Sequence, residues 1–185
     1  MKTLVTGGAG FIGSHLTDAL IARGDEVTVI DDLSTGKPEN LEAALARGAD
    51  LIEGDITDRG FVDEVVQAVK PSTLFHLAAQ GEVQRSIEQP SFDATVNVVG
   101  TVNLIEASKN IGLDRFVFAS TGGAIYGEGG RIDLPATEQV TPEPLCQYGL
   151  SKLAGEQYLA LYRRMYMFNS VSLRFGNVYG PRQSP

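Results

Sequence analysis

The sequence predicts an α/β fold, a doubly wound parallel sheet flanked by helices on both faces. Three observations support this. Short runs rich in β-branched residues alternate along the chain with longer amphipathic stretches. Most of the short runs are apolar at successive positions, which is typical of parallel strands that are covered on both sides. The total of 185 residues suits one domain with a single core.

Six short runs have the length and composition of strands. In chain order they are "TLVT" (3–6), "EVTVID" (26–31), "DLIEGD" (50–55), "STLFHLA" (72–78), "RFVFAS" (115–120) and "SVSLRF" (170–175). Five longer stretches have the spacing of amphipathic helices, and they cover residues 11–24, 38–48, 58–70, 91–112 and 147–166. Gly24, Gly48 and Gly112 stand where the left-handed residue at a helix end would lie. This alternation indicates parallel strands joined by crossover helices.

Composition disfavours several functions. Acidic residues outnumber basic ones by 23 to 15, which gives a net charge of −8 and leaves no clustered Lys and Arg for nucleic-acid phosphates. Cys146 is the single cysteine, so an intramolecular disulfide is impossible and a reducing, cytoplasmic compartment is favoured. Two histidines are too few for most metal centres, and no apolar run is long enough to span a bilayer. We therefore expect no nucleic-acid, metal or membrane partner.

A glycine-rich turn follows the first predicted strand directly. The segment "TGGAGFIGSH" places Gly7, Gly10 and Gly13 as G-x-x-G-x-x-G, with a helix after it and an acidic residue at the end of the next strand. Glycines there allow a tight turn and a close approach of the backbone to a pyrophosphate, which the N–H groups at the helix start then hold. This context predicts a Rossmann-type dinucleotide site rather than a plain strand-to-helix turn.

Asp31 ends the second predicted strand, 18 residues beyond Gly13. A carboxylate at this point accepts hydrogen bonds from the ribose hydroxyls of adenosine and repels a 2′-phosphate. Asp32 adds to the repulsion, although Lys37 follows nearby. The sequence therefore favours NAD over NADP as the cofactor.

The segment "GDI" (54–56) follows the third predicted strand. Its acidic residue, Asp55, leaves two interpretations open. The carboxylate either reaches the adenine amino group of a dinucleotide or caps the helix that begins near Asp58.

The segment "QYGLSK" (147–152) places Tyr148 and Lys152 four positions apart, on one face of the last predicted helix. A phenol titrates at about 10 in water, too high for a good base at neutral pH. An ammonium one helical turn away favours the phenolate, as does the positive nicotinamide ring of an oxidised cofactor. In a chain with a dinucleotide site, the pair predicts proton transfer rather than an incidental surface pair.

Seven features occur in the order seen in one enzyme family: "TGGAGFIGSH", "DDLSTG", "GDI", "HLAAQ", "FASTGGAIYG", the Tyr148–Lys152 pair and "LRFGNVYGP". Over essentially its whole length the chain resembles the extended short-chain dehydrogenases/reductases, and within them the nucleotide-sugar epimerases of the UDP-glucose 4-epimerase type. The resemblance implies an NAD cofactor and a nucleotide-sugar substrate, with a UDP-sugar favoured. It also implies transient hydride transfer from carbon 4 of the sugar to bound NAD and back.

The resemblance assigns the catalytic roles. Tyr148 removes the proton of the sugar 4-hydroxyl, and Lys152 also binds the nicotinamide ribose. A third residue, Ser120 or Thr121, holds the sugar hydroxyl through its own hydroxyl. Thr121 is preferred because it lies nearer the expected substrate side. Relatives often have one residue fewer before the Tyr-Gly at 126–127, so the choice stays open.

The glycines that follow this hydroxyl separate reaction types within the family. Sugar dehydratases carry an acidic pair there, and nucleotide-sugar decarboxylases carry a glutamate. Gly122 and Gly123 cannot move a proton. The resemblance therefore implies epimerisation rather than dehydration or decarboxylation.

The same resemblance places cofactor contacts at Gly7, Gly10, Phe11, Ile12, Gly13, Asp31, Asp32, Leu33, Ser34, Gly36, Asp55, Ile56, Leu77, Ala78, Ala79, Asn97 and Lys152. Asn97 either supports the site from the long helix or makes a structural hydrogen bond. Thr121 and Asn177 are the expected substrate contacts. For Asn177, in "FGNVYGP", a turn-forming role is the alternative.

Relatives of this kind continue into a smaller lobe that binds the nucleotide sugar. We therefore expect residues 1–185 to form an NAD-binding domain that ends where that lobe begins, with the lobe largely absent. Family members commonly form homodimers through two long helices, here residues 91–112 and 147–166. Two alternatives to an epimerase remain open, an NAD(P)-linked nucleotide-sugar reductase or dehydrogenase and a non-catalytic NAD-binding fragment.

Overall fold

All six predicted strands are present and pair in parallel within one sheet. The computed structural model describes residues 1–127 and 135–183. The strands are β1 (Lys2–Thr6), β2 (Glu26–Asp31), β3 (Asp50–Glu53), β4 (Thr73–His76), β5 (Arg115–Thr121) and β6 (Ser170–Phe175). Their order across the sheet is β3-β2-β1-β4-β5-β6. This is the doubly wound order of dinucleotide-binding domains, so the predicted fold class is confirmed.

Side chains alternate between the two faces of the sheet, and each face carries its own apolar cluster. Leu4 and Ile30 belong to the cluster on one face, whereas Val5 and Val29 belong to the cluster on the other. The pairing register aligns Val5 with Val29 across β1 and β2, so equivalent residues pack side by side. Because both faces of these central strands are buried, their residues are apolar without a polar alternation.

Three of the five predicted helices, 11–24, 58–70 and 147–166, have nearly the predicted bounds, and the structure contains further short helices. They are α1 (Phe11–Ala22), α2 (Glu42–Leu45), α3 (Arg59–Val69), α4 (Val83–Glu88), α5 (Pro90–Ala94), α6 (Thr101–Ser108) and α7 (Gln147–Tyr166). A short 3₁₀ helix, Pro38–Leu41, precedes α2, so the predicted helix 38–48 is two short pieces. Gly24, Gly48 and Gly112 all adopt positive φ angles, as expected for residues that end helices.

The predicted helix 91–112 is helical from Pro90 to Ser108, but it is not α-helical throughout. A π-helical segment, Thr95–Gly100, lies between α5 and α6. Gly100 packs directly on Ile56, whose Cδ1 would lie 2.7 Å from a Cβ at that position. Thr101 donates its hydroxyl hydrogen to the carbonyl oxygen of Asn97 at 2.7 Å. The apolar spacing predicted the helix, whereas nothing in it marks where the π-helical turn lies.

The sheet topology decides where a ligand binds. Strands β2 and β3 lie on one side of β1, whereas β4, β5 and β6 lie on the other. A crevice forms outside the carboxyl ends of the strands where the chain reverses direction, between β1 and β4. Within the described residues, no helix is long and apolar enough to cross a membrane.

Candidate active site

Two adjoining cavities form one cleft along the carboxyl ends of the strands. The first has a volume of about 330 Å³ and extends towards β2 and β3, where acidic residues line it. The second has a volume of about 820 Å³ and extends towards β5 and α7. Both cavities are lined by Gly7, Gly10, Leu77, Ala79 and Gly81. Of the residues predicted to form the site, all but Leu33 and Asn97 line one of the two.

The glycine turn has no room for side chains. Gly7 has a φ of +71°, and a Cβ there would lie 2.5 Å from the backbone nitrogen of Ala78. A Cβ on Gly13 would lie 2.1 Å from the carbonyl oxygen of Gly7. The helix α1 then starts after Gly10, an N-cap residue without a side-chain cap. Its first N–H groups face the cleft, and they fit the pyrophosphate of a dinucleotide.

Asp31 organises the loop that follows β2. It is 6% exposed, and its two carboxylate oxygens accept hydrogen bonds from the N–H of Ala9 at 2.8 Å and of Leu33 at 3.0 Å. Burial raises the pKa of this carboxyl, with the backbone hydrogen bonds acting in the opposite direction. Gly36 is required beside it, because a Cβ there would lie 2.6 Å from Asp31 Oδ1. Leu33 donates its backbone N–H to Asp31, and its side chain does not line the cleft.

The capping interpretation of Asp55 is wrong. The N-cap residue of α3 is Asp58, whose side chain accepts a hydrogen bond from the N–H of Phe61 at 3.1 Å. Asp55 instead accepts from the N–H of Thr57 at 2.8 Å and lines the first cavity together with Asp31.

Tyr148 and Lys152 both lie on α7, and the ammonium is almost fully enclosed. Lys152 is 3% exposed, and its Nζ donates to the carbonyl oxygen of Ala119 at 2.9 Å. The Nζ atom lies 4.9 Å from the centroid of the Phe118 ring and 6.0 Å from that of Tyr148. Burial lowers the pKa of Lys152 to about 8, although the carboxylate of Asp93 opposes this change.

The pKa of Tyr148 is raised rather than lowered, contrary to the expectation from its spacing to Lys152. Burial is the largest cause, followed by the charges of Asp93 and Cys146, while a hydrogen bond with Thr121 acts against them. The ammonium of Lys152 is directed at the backbone of Ala119, so it does not offset the loss of water around the phenol.

The two candidate hydroxyls at the end of β5 point to different neighbours. The hydroxyl of Thr121 accepts from the N–H of Ala124 at 3.2 Å and lies near the phenol of Tyr148, whose pKa it lowers. Ser120 donates its hydroxyl to Glu156 at 2.5 Å. Both neighbours lie on α7, eight positions apart, so the two hydroxyls contact different turns of one helix. Thr121 is therefore the hydroxyl beside the phenol.

Glu156 and Arg174 form a half-buried pair behind Ser120 that sequence reasoning did not find. Arg174 donates to both carboxylate oxygens of Glu156, with the closest contact at 2.6 Å, and to the hydroxyl of Tyr126 at 2.7 Å. One sequence signal indicates that Glu156 faces the site, because it lies on α7 one helical turn beyond Lys152. The arginine on β6 has no comparable sequence pattern.

Asn97 supports the site through structural hydrogen bonds, so its two predicted roles coincide. It is 1% exposed, and it donates to the carbonyl oxygen and accepts from the N–H of Gln80, both at 2.9 Å. It thus fixes the loop after β4, which lines the cleft, from behind. Asn177 lines the second cavity and is exposed.

His76 lies behind the same loop and is 1% exposed. Its Nδ1 is 2.7 Å from the hydroxyl of Thr6, and its Nε2 is 2.9 Å from that of Thr101. Burial, with the charge of Lys152 as a smaller cause, holds the pKa of His76 well below its usual range. The neutral ring links β1, β4 and α6 beneath the cleft.

The doubly wound sheet, the glycine turn and the acidic residue at the end of β2 define a nucleotide-binding domain of the Rossmann type. The chain belongs to the NAD dependent epimerase/dehydratase family, whose model matches residues 3–185.

Similar proteins are named as epimerases. The UDP-glucose 4-epimerase of Mycolicibacterium smegmatis is 46% identical over 191 residues, which cover 100% of this chain and 58% of the relative. The structure of the Thermotoga maritima UDP-glucose 4-epimerase with UDP-glucose superimposes with a TM-score of 0.94 at 44% identity, covering 100% of this chain and 58% of that one. The Thermus thermophilus UDP-glucose 4-epimerase in complex with NAD gives a TM-score of 0.92 at 46% identity, with the same coverage. The chain thus spans about 58% of the length of these relatives.

Proposed function

We propose that this chain is the cofactor-binding part of an NAD-dependent nucleotide-sugar 4-epimerase. The observation that carries the proposal is the placement of Thr121, Tyr148 and Lys152 on one wall of a cleft whose other end is the glycine turn. A base, a hydroxyl and a cation at the end of a dinucleotide cleft suit proton transfer coupled to hydride transfer. The relatives named as UDP-glucose 4-epimerases support the same reaction.

The residues of the cleft divide into three groups. The turn at Gly7–Gly13 and the start of α1 hold the pyrophosphate, and Asp31 binds the adenosine ribose. The first cavity, with Asp55 and Ile56, takes the adenine. When bound, NAD supplies a reversible hydride acceptor. Asp31 carries a negative charge at the ribose, so the proposal includes NAD rather than NADP.

In the proposed reaction, Tyr148 removes the proton from the 4-hydroxyl of the sugar and later returns it. Thr121 holds the same sugar hydroxyl and the phenol by hydrogen bonds. Lys152 binds the nicotinamide ribose and stabilises the phenolate. Burial raises the pKa of Tyr148 in the free chain. The positive nicotinamide ring of bound NAD would lower this pKa and so favour the reactive phenolate. Asn177 contacts the substrate at the mouth of the second cavity.

The substrate that we propose is a UDP-sugar, UDP-glucose or UDP-galactose. The support is the names of the relatives, one of which was solved with UDP-glucose. Inversion at carbon 4 needs no general acid other than Tyr148. Gly122 and Gly123 have no titratable side chain, which agrees with epimerisation rather than dehydration.

We further propose a homodimer that forms through the helices near 91–112 and 147–166. Tyr158 and Leu161 on α7 are 38% and 39% exposed, and Val99 is 48% exposed. Ile105, by contrast, is fully buried in the core of the single chain. Light scattering of the purified chain, with Leu161→Asp as the disruptive variant, tests the dimer.

We also propose a cytoplasmic location. It suits Cys146, which lacks a second cysteine for a disulfide.

The experiment that tests the function has two steps. Calorimetry first measures whether the chain binds NAD and prefers it to NADP. The protein is then incubated with UDP-galactose and NAD, and NMR of the sugar protons follows the appearance of UDP-glucose. We expect NAD binding by the chain itself. In a protein that also carries the substrate-binding lobe, we expect interconversion without net NADH, loss of it in Tyr148→Phe, and no loss in Tyr166→Phe, an exposed tyrosine on the same helix. Stoichiometric NADH would instead indicate a dehydrogenase, and absence of NAD binding would contradict the proposal.

A further inference from the structure

Asp93 on α5 is a buried carboxylate next to the candidate active site, with an exposed fraction of 0%. Its Oδ1 accepts hydrogen bonds from Asn97 Nδ2 at 2.9 Å and from Gln80 Nε2 at 3.2 Å. Its Oδ2 accepts one from Ser151 Oγ at 2.6 Å. All three donors are neutral groups. The carboxylate depends on them, because a buried charge without hydrogen bonds is far more costly than a buried amide.

The three donors lie on three segments that form or support the cleft. Gln80 follows β4 and lines the first cavity. Asn97 holds the backbone of that same residue through two further hydrogen bonds. Ser151 lies on α7 directly before Lys152 and three residues after Tyr148. Being fully buried, Asp93 acts on the cleft through these neighbours.

Building on the proposed function, we propose that Asp93 is a positioning residue that ties the cofactor-lining loop at Gln80 to the turn of α7 that carries Tyr148 and Lys152. One side chain thereby fixes the distance between the two walls. Its carboxylate oxygens are divided between them, one serving Gln80 and Asn97 and the other serving Ser151.

The charge of Asp93 also acts on the titration of the pair. It raises the pKa of Tyr148, after burial as the larger cause, and it raises the pKa of Lys152 against the larger effect of burial. The other titratable groups that interact with the pair are Cys146, just ahead of Tyr148, and His76 on β4. A neutral residue at position 93 therefore lowers the pKa of both members of the pair.

Three variants separate geometry from charge. Asp93→Asn keeps an oxygen acceptor for Gln80 and Asn97, and its amide can donate to Ser151, whose hydroxyl then accepts; only the charge is lost. Ser151→Ala removes the tie to α7 and keeps the charge. Asp93→Ala removes both. Asp50→Asn, on the exposed edge of β3, is the matched control.

Two readouts are used, the NAD dissociation constant from calorimetry and the pKa of Tyr148 from carbon-13 NMR of the tyrosine rings, assigned with Tyr148→Phe. We expect Asp93→Ala to weaken NAD binding about tenfold and Ser151→Ala about threefold. Asp93→Asn is expected to keep NAD affinity within about twofold of the unmodified chain and to lower the pKa of Tyr148, because the charge of Asp93 raises it.

NAD affinity that is unchanged in Asp93→Ala would overturn the proposal. If that variant does not fold, unchanged affinity in Ser151→Ala would do so. A pKa of Tyr148 that does not move in Asp93→Asn would also overturn it, since a merely structural residue predicts that result. If the unmodified chain binds no NAD, the proposed function fails, while the NMR titration still decides whether the Asp93 charge acts on Tyr148.

Discussion

The ammonium of Lys152 donates a hydrogen bond to the carbonyl oxygen of Ala119, 2.9 Å away, inside a site that leaves the residue 3% exposed. Burial lowers the pKa of this amine from 10.5 to about 8. Lowering a pKa by one corresponds to about 1.4 kcal/mol. At neutral pH the charged amine of Lys152 therefore costs the folded chain about 3 kcal/mol, net of the attraction of Asp93. Such a cost at the end of a ligand cleft is typical of a functional group rather than a stabilising one.

A first prediction concerns stability. Because the folded pKa lies below the unfolded one, the unfolded chain binds more protons between these values, and the free energy of unfolding rises as pH increases from about 8 to 10.5. Lys152→Met is expected to stabilise the chain by about 1–3 kcal/mol at about pH 7, with a smaller gain at about pH 9.5. Urea denaturation at both pH values measures the difference. Lys37→Met, at an exposed lysine, serves as the control. A gain that is equal at both pH values would contradict the burial argument.

A second prediction separates the two hydroxyls at the end of β5. Thr121→Val removes the hydroxyl beside Tyr148 without changing the size of the side chain, so we expect kcat for epimerisation to fall by about 10²-fold. Ser120→Ala removes a hydrogen bond to Glu156, and we expect a loss of about 1–2 kcal/mol in unfolding free energy with kcat changed less than about threefold. Sugar-proton NMR and urea denaturation measure the two effects. The reverse pattern would assign the catalytic hydroxyl to Ser120.

A third prediction compares the stability cost of Ala substitution at three glycines, which differ in the sign of φ and in the space for a Cβ. Gly7 has both a positive φ and a Cβ position 2.5 Å from Ala78 N, Gly24 has a positive φ with nothing within 4 Å, and Gly81 has open space and no positive φ. Substitution by Ala is expected to cost about 3 kcal/mol or more at Gly7, about 1 kcal/mol at Gly24 and less than about 0.5 kcal/mol at Gly81. Thermal and urea unfolding give the order. Equal losses at Gly7 and Gly24 would mean that the close approach to Ala78 adds no cost.

A fourth prediction concerns cofactor choice at Asp31. Asp31→Asn loses the charge and keeps a single oxygen for the two N–H groups of Ala9 and Leu33. NAD affinity should therefore fall about tenfold, and the ratio of NAD affinity to NADP affinity should decrease. Because burial raises the pKa of this carboxyl, its charge is lost earlier on acidification than that of an ordinary aspartate. NAD binding to the unmodified chain should therefore weaken as pH falls, whereas binding to the variant should not. Calorimetry across mildly acidic pH tests this, with Asp50→Asn as the control.

The sheet and the glycine turn could be predicted because short patterns determine them. The strands at 26–31 and 170–175 end at the residues that the sequence indicated, since an apolar β-branched run has few alternatives. Gly7 is recognisable because the close approach of its backbone to Ala78 demands a glycine, and Asp31 because an acidic residue at the end of the second strand is typical of dinucleotide-binding sites. For the same reason the spacing of Tyr148 and Lys152 predicted a shared helix face correctly.

The parts that escaped prediction depend on contacts between distant segments. The helix α4 has six residues, too few for a periodic pattern. Asp93 and Ser151 are 58 positions apart, and nothing local marks either as a partner of the other. The pKa of Tyr148 could not be judged from spacing, because burial depends on the whole fold. Ser120 and Thr121 could be distinguished once the residue of α7 that each one contacts was known.

The π-helical segment Thr95–Gly100 has a consequence for insertions and deletions. Residues on either side of it have fixed partners, since Asn97 binds Gln80 while Asn103 donates to the carbonyl oxygen of Ile56 at 3.0 Å. A π-helical turn holds one residue more than an α-helical turn, so the loss of one residue would leave a regular α-helix with both contacts in place. The loss of two residues would rotate everything that follows by about 100°, and Asn103 would then face away from Ile56. A related chain with a two-residue gap in this segment must therefore hold the segment after β3 by other means.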